Sequence, residues 1–569
     1  MKLRTLLLGA AAGTVMAGAA MAERGSDGTV NIIYWQAPSI LNPYLSGGTK
    51  DQDASAIVIE PLARYDENGD IVAYLAESVP TLANGGVSED LKSITWKLQE
   101  GLLWSDGTPV TSADVKFTAE YCMNPDGGCA QLSQFDGVTS VETPDDLTIV
   151  VTFKDAKPNP YGPFVGANTP IIQMAQFKDC VGAQASSCTE QNFGPIGTGP
   201  FVVTEFKPND VIQFDMNPNY RDPNKPAFAK VNFKGGGDAT GAGRAVMETG
   251  EFDHGWNLQL APDVLAKMEA GGKGKVVVGF GPLVERLEMN MTNPSPDLPP
   301  ETRATVAEPH PFLTEPKIRE ALSMAIDRAL LVEIGYGQAG KVTCDIVPSP
   351  PNYAAGNDYC MTQDIAGANA LLDEVGAVDT DGDGIREFNG TPLVIKYQTS
   401  TNAVRQDFQA LIKQWWSEIG VETNLANYSA SVFFGGDPGS PDTFQKFYSD
   451  VEMYANTFNG TDPQQYLAAY RCGNEPKPSS QWQGENINRF CDPTYDALID
   501  ELARTGDIAK RGEIAIKMNN MLTKDSYTIV PLVHRGRVSA IATTLGGYKM
   551  NVWDTEMWNI ADWHRTDGS

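Results

Sequence analysis

The stretch Val404-Arg405-Gln406-Asp407-Phe408-Gln409-Ala410-Leu411-Ile412-Lys413-Gln414-Trp415-Trp416-Ser417-Glu418-Ile419-Gly420-Val421-Glu422-Thr423-Asn424-Leu425 changes its periodicity once. Val404, Phe408, Leu411, Ile412, Trp415 and Ile419 recur at the spacing that lines one face of an α-helix. Gly420 stops that helix, and 421–425 continues as a strand. A long amphipathic helix feeding straight into a strand is the mark of a βαβ unit, so the chain is expected to be α/β with covered, mostly parallel sheets. A second long helix is expected to start at Thr314 and Pro316, with Ile318, Leu322, Ala325, Ile326 and Leu330 on one stripe.

Further towards the N-terminus the chain reads as strands and turns. In 94–98, Ile94, Trp96 and Leu98 alternate with Thr95 and Lys97, which predicts a half-buried strand. Trp104-Ser105-Asp106-Gly107-Thr108-Pro109 is a turn, and Thr111 with Asp114 opens a helix as N-cap and first-turn acid. Strands are expected at 31–35, 146–153, 201–206, 211–215 and 450–454. No fixed-period repeat and no long low-complexity linker interrupts the pattern.

The first 22 residues read as a secretory signal. Lys2 and Arg4 precede a short apolar run, and Ala20-Met21-Ala22 offers a cleavage site. Removing them leaves 547 of the 569 residues, enough for two or more domains, and takes the net charge from −29 to −31 through loss of two cations. A chain this acidic is repelled by nucleic acid and by anionic lipid, so neither is expected as a partner. The eight cysteines fall into four sequence-local pairs, Cys122 with Cys129, Cys180 with Cys188, Cys344 with Cys360, and Cys472 with Cys491. After export such an even, locally paired set is most simply four small disulfide loops.

Catalytic signatures are scarce: there is no G-x-S-x-G elbow, no S-x-x-K and no H-E-x-x-H, so a secreted hydrolase is disfavoured. Gly335-Tyr336-Gly337-Gln338-Ala339-Gly340-Lys341 has the spacing of a phosphate-cradling loop. Val342 stands where a hydroxyl is needed, however, and the segment follows a helix, so a glycine-rich helix exit is the better reading. Asp379, Asp381 and Asp383 copy the first half of a calcium loop, but Gly390 occupies the position of the closing glutamate. That leaves a solvated turn or, at most, a structural calcium, and no other cofactor. Rings and amides cluster at Trp256-Asn257-Leu258-Gln259 and at 454–459, a composition suited to holding a polar organic ligand without reacting with it.

Several segments together resemble the extracytoplasmic solute-binding proteins of family 5, the peptide/nickel/opine class of ABC importers. They are Ile40-Leu41-Asn42-Pro43, Ala73-Tyr74-Leu75-Ala76-Glu77-Ser78, the run 94–115, Gly197-Thr198-Gly199-Pro200-Phe201, Asn217-Pro218-Asn219-Tyr220 and the run 318–328, in that order. The resemblance implies a two-lobed type II periplasmic-binding-protein fold with a ligand cleft between lobes and an extra domain. Lobe I would take 23–60, 195–286 and 531–569, the extra domain 61–194 and lobe II 287–530, with lobe crossings near 285–290 and 530–533. It implies a monomeric periplasmic receptor that captures an oligopeptide or related polar solute by lobe closure and delivers it to ABC permease subunits in the inner membrane. An opine or modified amino acid, an oligosaccharide, or a chemosensory role are the alternatives. By the same resemblance the ligand would meet Ser39, Asn42, Trp256, Asn257, Gln259, Tyr454, Asn456 and Asn459, with His534 near the hinge. Arg405 would read a carboxylate or else lie on the surface at a helix start. Many peptide-binding members carry an aspartate that grips the peptide amine before a D-P turn; alignment on Asp462-Pro463 puts Asn456 there, and an amide cannot offer that charge-assisted bond.

Overall fold

The computed structural model describes residues 23–566; the expected signal segment lies outside them. Two large sheets organise the chain. A seven-stranded sheet runs in the order Gly274–Gly279, Arg537–Ala542, His254–Trp256, Thr29–Tyr34, Lys230–Gly235, Val211–Met216, Phe201–Lys207. A six-stranded sheet runs Gly340–Val342, Ile529–Arg535, Val284–Met289, Val451–Asn456, Val394–Ser400, Glu422–Tyr428. The strand Val394–Ser400, the helix Ala403–Ser417 and the parallel strand Glu422–Tyr428 form the expected βαβ unit. Val404, Phe408, Ile412 and Trp415 are buried on the sheet side, and Trp416 is fully buried too, its indole N–H donating to the Leu322 carbonyl at 2.9 Å. Gly420 separates the helix from that strand at φ +74°, a conformation that would strain any residue with a Cβ.

The sheets are mixed, which corrects the expectation of mostly parallel ones. Parallel pairing is confined to Thr29–Tyr34 with its two neighbours and to Val394–Ser400 with its two. The remaining pairs are antiparallel because hairpins and strands returning from the other sheet fill the flanks. The expected helix over 316–330 is two helices, Pro316–Met324 and Arg328–Gly335. Between them the Asp327 carboxylate accepts the Leu330 N–H at 3.0 Å and starts a new N-terminus. The first of these is capped by Glu315 and not by Thr314.

The chain passes between the sheets at 280–283 and at Gly536, not inside 285–290 and 530–533, whose residues 285–289 and 530–533 pair within the six-stranded sheet. At Gly536 the backbone runs so close to Val278 that a Cβ would sit 2.6 Å from its side chain. The three-stranded sheet Ser93–Lys97, Thr148–Phe153, Val138–Glu142 and the helix Ser112–Met123 form the centre of a third core. The four local disulfides form as expected, with sequence separations of 7, 8, 16 and 19. Among the described residues no helix is long and apolar enough to cross a membrane.

Candidate functional site

A cavity of about 210 Å³ opens where the two sheets and the third core meet. The first wall carries Gln36, Lys50, Trp256 and Asn257; the second, Phe434, Phe444, Tyr454, Asn456, Asn459, Gln465 and Glu485; the third, Tyr65, Gln131, Ser133 and Asn168. Arg405, Arg535 and Arg537 form its floor near the crossings. Trp256 ends its strand with one ring face stacked on Tyr34, centroids 4.5 Å apart and planes 5° apart. Asn257 follows at φ +53°, a left-handed position that asparagine tolerates better than most residues. Its carbonyl accepts the Trp35 indole N–H at 2.8 Å and its side-chain oxygen accepts from Arg535, so the turn is held from both sides. On the second wall Tyr454 packs edge-on to Phe444, and Asn456 is half-buried, its Oδ1 accepting the Thr457 N–H.

Charge in the floor is arranged around Glu285. Its carboxylate accepts from Arg405 Nε at 2.6 Å and from the Tyr336 hydroxyl at 3.0 Å, and Arg535 lies 3.6 Å away. Burial pushes this carboxyl up, but the two guanidiniums outweigh it and hold it below its usual value. Three buried donors on residues that line the cavity have no hydrogen-bond partner among the described residues: Gln36 Nε2, Gln465 Nε2 and Arg535 Nε. One comes from each large wall and one from the floor. Asp462, at the D-P turn, is spoken for by Arg511 at 2.6 Å and by the Tyr353 hydroxyl at 2.8 Å.

The structure brings Trp256, Asn257, Arg405, Tyr454, Asn456 and Asn459 to this one cavity. It does not bring the other four. Ser39 is tied to Asp51 and Lys50, while Asn42 caps the turn Pro43–Leu45 and bonds Tyr121 and Asn192. Gln259 is buried against Tyr336 and lines a separate cavity of about 450 Å³. That space is larger, but none of its lining side chains leaves a buried polar atom unpaired. His534 bonds the Gly281 carbonyl, and its neighbour Arg535 faces the cleft instead, because side chains alternate along a strand. Arg405 is not a surface residue; its ion pair with Glu285, 120 positions away, keeps it 3% exposed. Sequence reasoning missed Gln36, Lys50, Gln465, Glu485 and Arg535, for which no local pattern existed. The acidic turn keeps Asp379, Asp381 and Asp383, with Glu387, within 4.8 Å of one another on the surface, and their oxygens accept backbone N–H groups of the same turn.

A family model for the bacterial extracellular solute-binding proteins, family 5 Middle, matches residues 70–477. The chain belongs to that family. Its fold agrees with solved members: it superposes on the oligopeptide-binding protein AppA of Bacillus subtilis, solved with a nonapeptide, at a TM-score of 0.79 with 21% identity, covering 96% of this chain and 100% of that one. The oligopeptide-binding protein of Thermus thermophilus, solved with a pentapeptide, gives 0.80 with 18% identity, covering 96% and 97%. In sequence the chain is 26% identical to AppA over 421 residues, 72% of this chain and 71% of that one. It is 25% identical to the glutathione-binding protein GsiB of Shigella boydii over 512 residues, 89% of each. As in the two solved relatives, the family 5 fold here is two-lobed.

Proposed function

We propose that this family 5 protein is the periplasmic substrate-binding subunit of an ABC importer, capturing an oligopeptide or a related polar solute by lobe closure and handing it to a permease. The observation that carries this is the set of three buried, unpartnered N–H donors around one ring-lined cleft. A buried donor without an acceptor costs roughly 1–3 kcal/mol, a cost that repeated carbonyl oxygens of a bound peptide remove. The names of its relatives point the same way, since AppA binds oligopeptides and GsiB glutathione. No bond needs to break in such a site. The carboxylates at its edge are engaged in ion pairs or in bonds to serine, histidine and tyrosine, and the reading calls for no cofactor and no turnover.

Native mass spectrometry of the full chain, exported through its own leader and purified from periplasm, tests this. A retained mass released on denaturation, which fragments as a peptide or amide-rich solute, is expected. A protein that retains nothing and, once refolded, takes up nothing from a mixed peptide pool overturns the proposal; so does hydrolysis of that pool that disappears with a point substitution in the cleft.

A further inference from the structure

Of the three carboxylates that line the cleft, two have cationic or histidine partners. Asp462 is paired with Arg511, and Glu556 accepts from His254 at 3.1 Å. Glu485 is in no ion pair among the described residues. It sits on the loop closed by the Cys472–Cys491 disulfide and reaches the third core, where its two oxygens accept the Ser133 N–H at 2.8 Å and the Ser133 hydroxyl at 2.7 Å. Two neutral donors leave half of a carboxylate's acceptor capacity open. The charges around it give no help: Asp136, at the end of the turn carrying Ser133, adds repulsion. Arg471 is bonded to Asp500 at 2.6 Å and only touches Asp136 at 4.0 Å. Lys477 on the same loop lies by Glu475.

We propose that Glu485 is the cation-receiving group of the cleft, taking the ammonium group of an incoming peptide or amine solute while Ser133 holds the carboxylate in place. The inference rests on the peptide-capture reading and gives that capture its specificity: solutes with a free amine over amine-blocked ones. Burial supports it from a second side, pushing the Glu485 carboxyl up to about 7. A cation bound beside it stabilises the ionised form, so binding an ammonium releases the proton that Glu485 carries in mildly acidic solution. Affinity for an amine-bearing solute then falls as pH drops through 7, by roughly eightfold between about pH 7.5 and about pH 6.

The test is equilibrium dialysis of the refolded full chain against two tetrapeptide pools built from Gly, Ala, Ser, Leu and Phe. One pool has free amino termini and the other is N-acetylated, and retention is read by mass spectrometry. The expected result is at least roughly tenfold preference for the free-amine pool near pH 7.5, reduced at pH 6 and lost in Glu485→Gln. Equal retention of both pools, a preference that survives Glu485→Gln, or one unchanged between the two pH values overturns the role of Glu485 and leaves peptide capture standing. Retention of neither pool removes both. Should Glu485→Gln not fold, the pH arm on the unaltered chain still decides.

Discussion

Trp256 and Glu285 show how single side chains serve the cleft. Trp256 presents one ring face to the cavity and spends the other on Tyr34, so its removal acts twice. Trp256→Ala is expected to cost about 3–5 kcal/mol of stability and to weaken solute binding by ~1–3 kcal/mol. Trp256→Phe should recover most of both, as read by denaturant melts and calorimetry. Glu285 neutralises two guanidiniums in a buried floor. Glu285→Gln leaves them sharing no counter-charge and should cost roughly 3–5 kcal/mol. The pH dependence has a defined sign. The folded pKa lies below the usual 4.5, so its contribution is present above that value and lost as pH falls through the folded pKa. The variant should therefore show a flatter acid limb in stability against pH, and an unchanged limb would show that Glu285 is not what titrates there.

Two elements set charged groups of the cleft, Arg405 and Glu485. The helix Ala403–Ser417 starts at Asn402, whose side chain accepts the Arg405 N–H at 3.0 Å and donates to Gln259. Asn402→Ala removes that cap and should cost about 1 kcal/mol, with a further loss of affinity because Arg405 begins the same turn. The apolar stripe that announced this helix was legible because helical periodicity is local. The partner that buries Arg405 was not, since Glu285 comes from a strand laid down 120 residues earlier. The loop bearing Glu485 is held by Cys472–Cys491. Replacing both cysteines by serine frees that loop and should lower stability by about 3 kcal/mol. It should also blunt the preference for amine-bearing solutes, measured in the same dialysis.

At the scale of the molecule, the walls of the cleft are joined directly. Ser133 bonds Glu485, Ser186 and the Ala183 carbonyl bond Gln481, and Asn459 donates to Asn168 at 3.2 Å. The chain itself crosses between the two large sheets at 280–283 and at Gly536. Rotation about those crossings is the motion that the proposed capture by closure requires. Small-angle scattering of the refolded, solute-free protein is expected to give a larger radius of gyration than the solute-loaded form. Bound solute at 100 times its Kd should add about 2.7 kcal/mol of stability. Equal radii in the two states would rule out closure as the capture step.

What the sequence by itself determined is whatever short stretches encode: the βαβ unit around 404–425, the capped helix at Thr111, the four disulfides between neighbouring cysteines, and the order of motifs that marks family 5. Half of the cleft was visible too, because Trp256, Asn257 and 454–459 sit at strand ends. Only the tertiary structure decided the rest. Gln36, Gln465, Glu485 and Arg535 meet from four distant segments, and whether a polar side chain is paired or left open depends on partners that local pattern cannot supply. The mixed sheets arose likewise, from strands returning across the molecule, and burial, with Asp136 adding to it against the two Ser133 bonds, gave Glu485 its character.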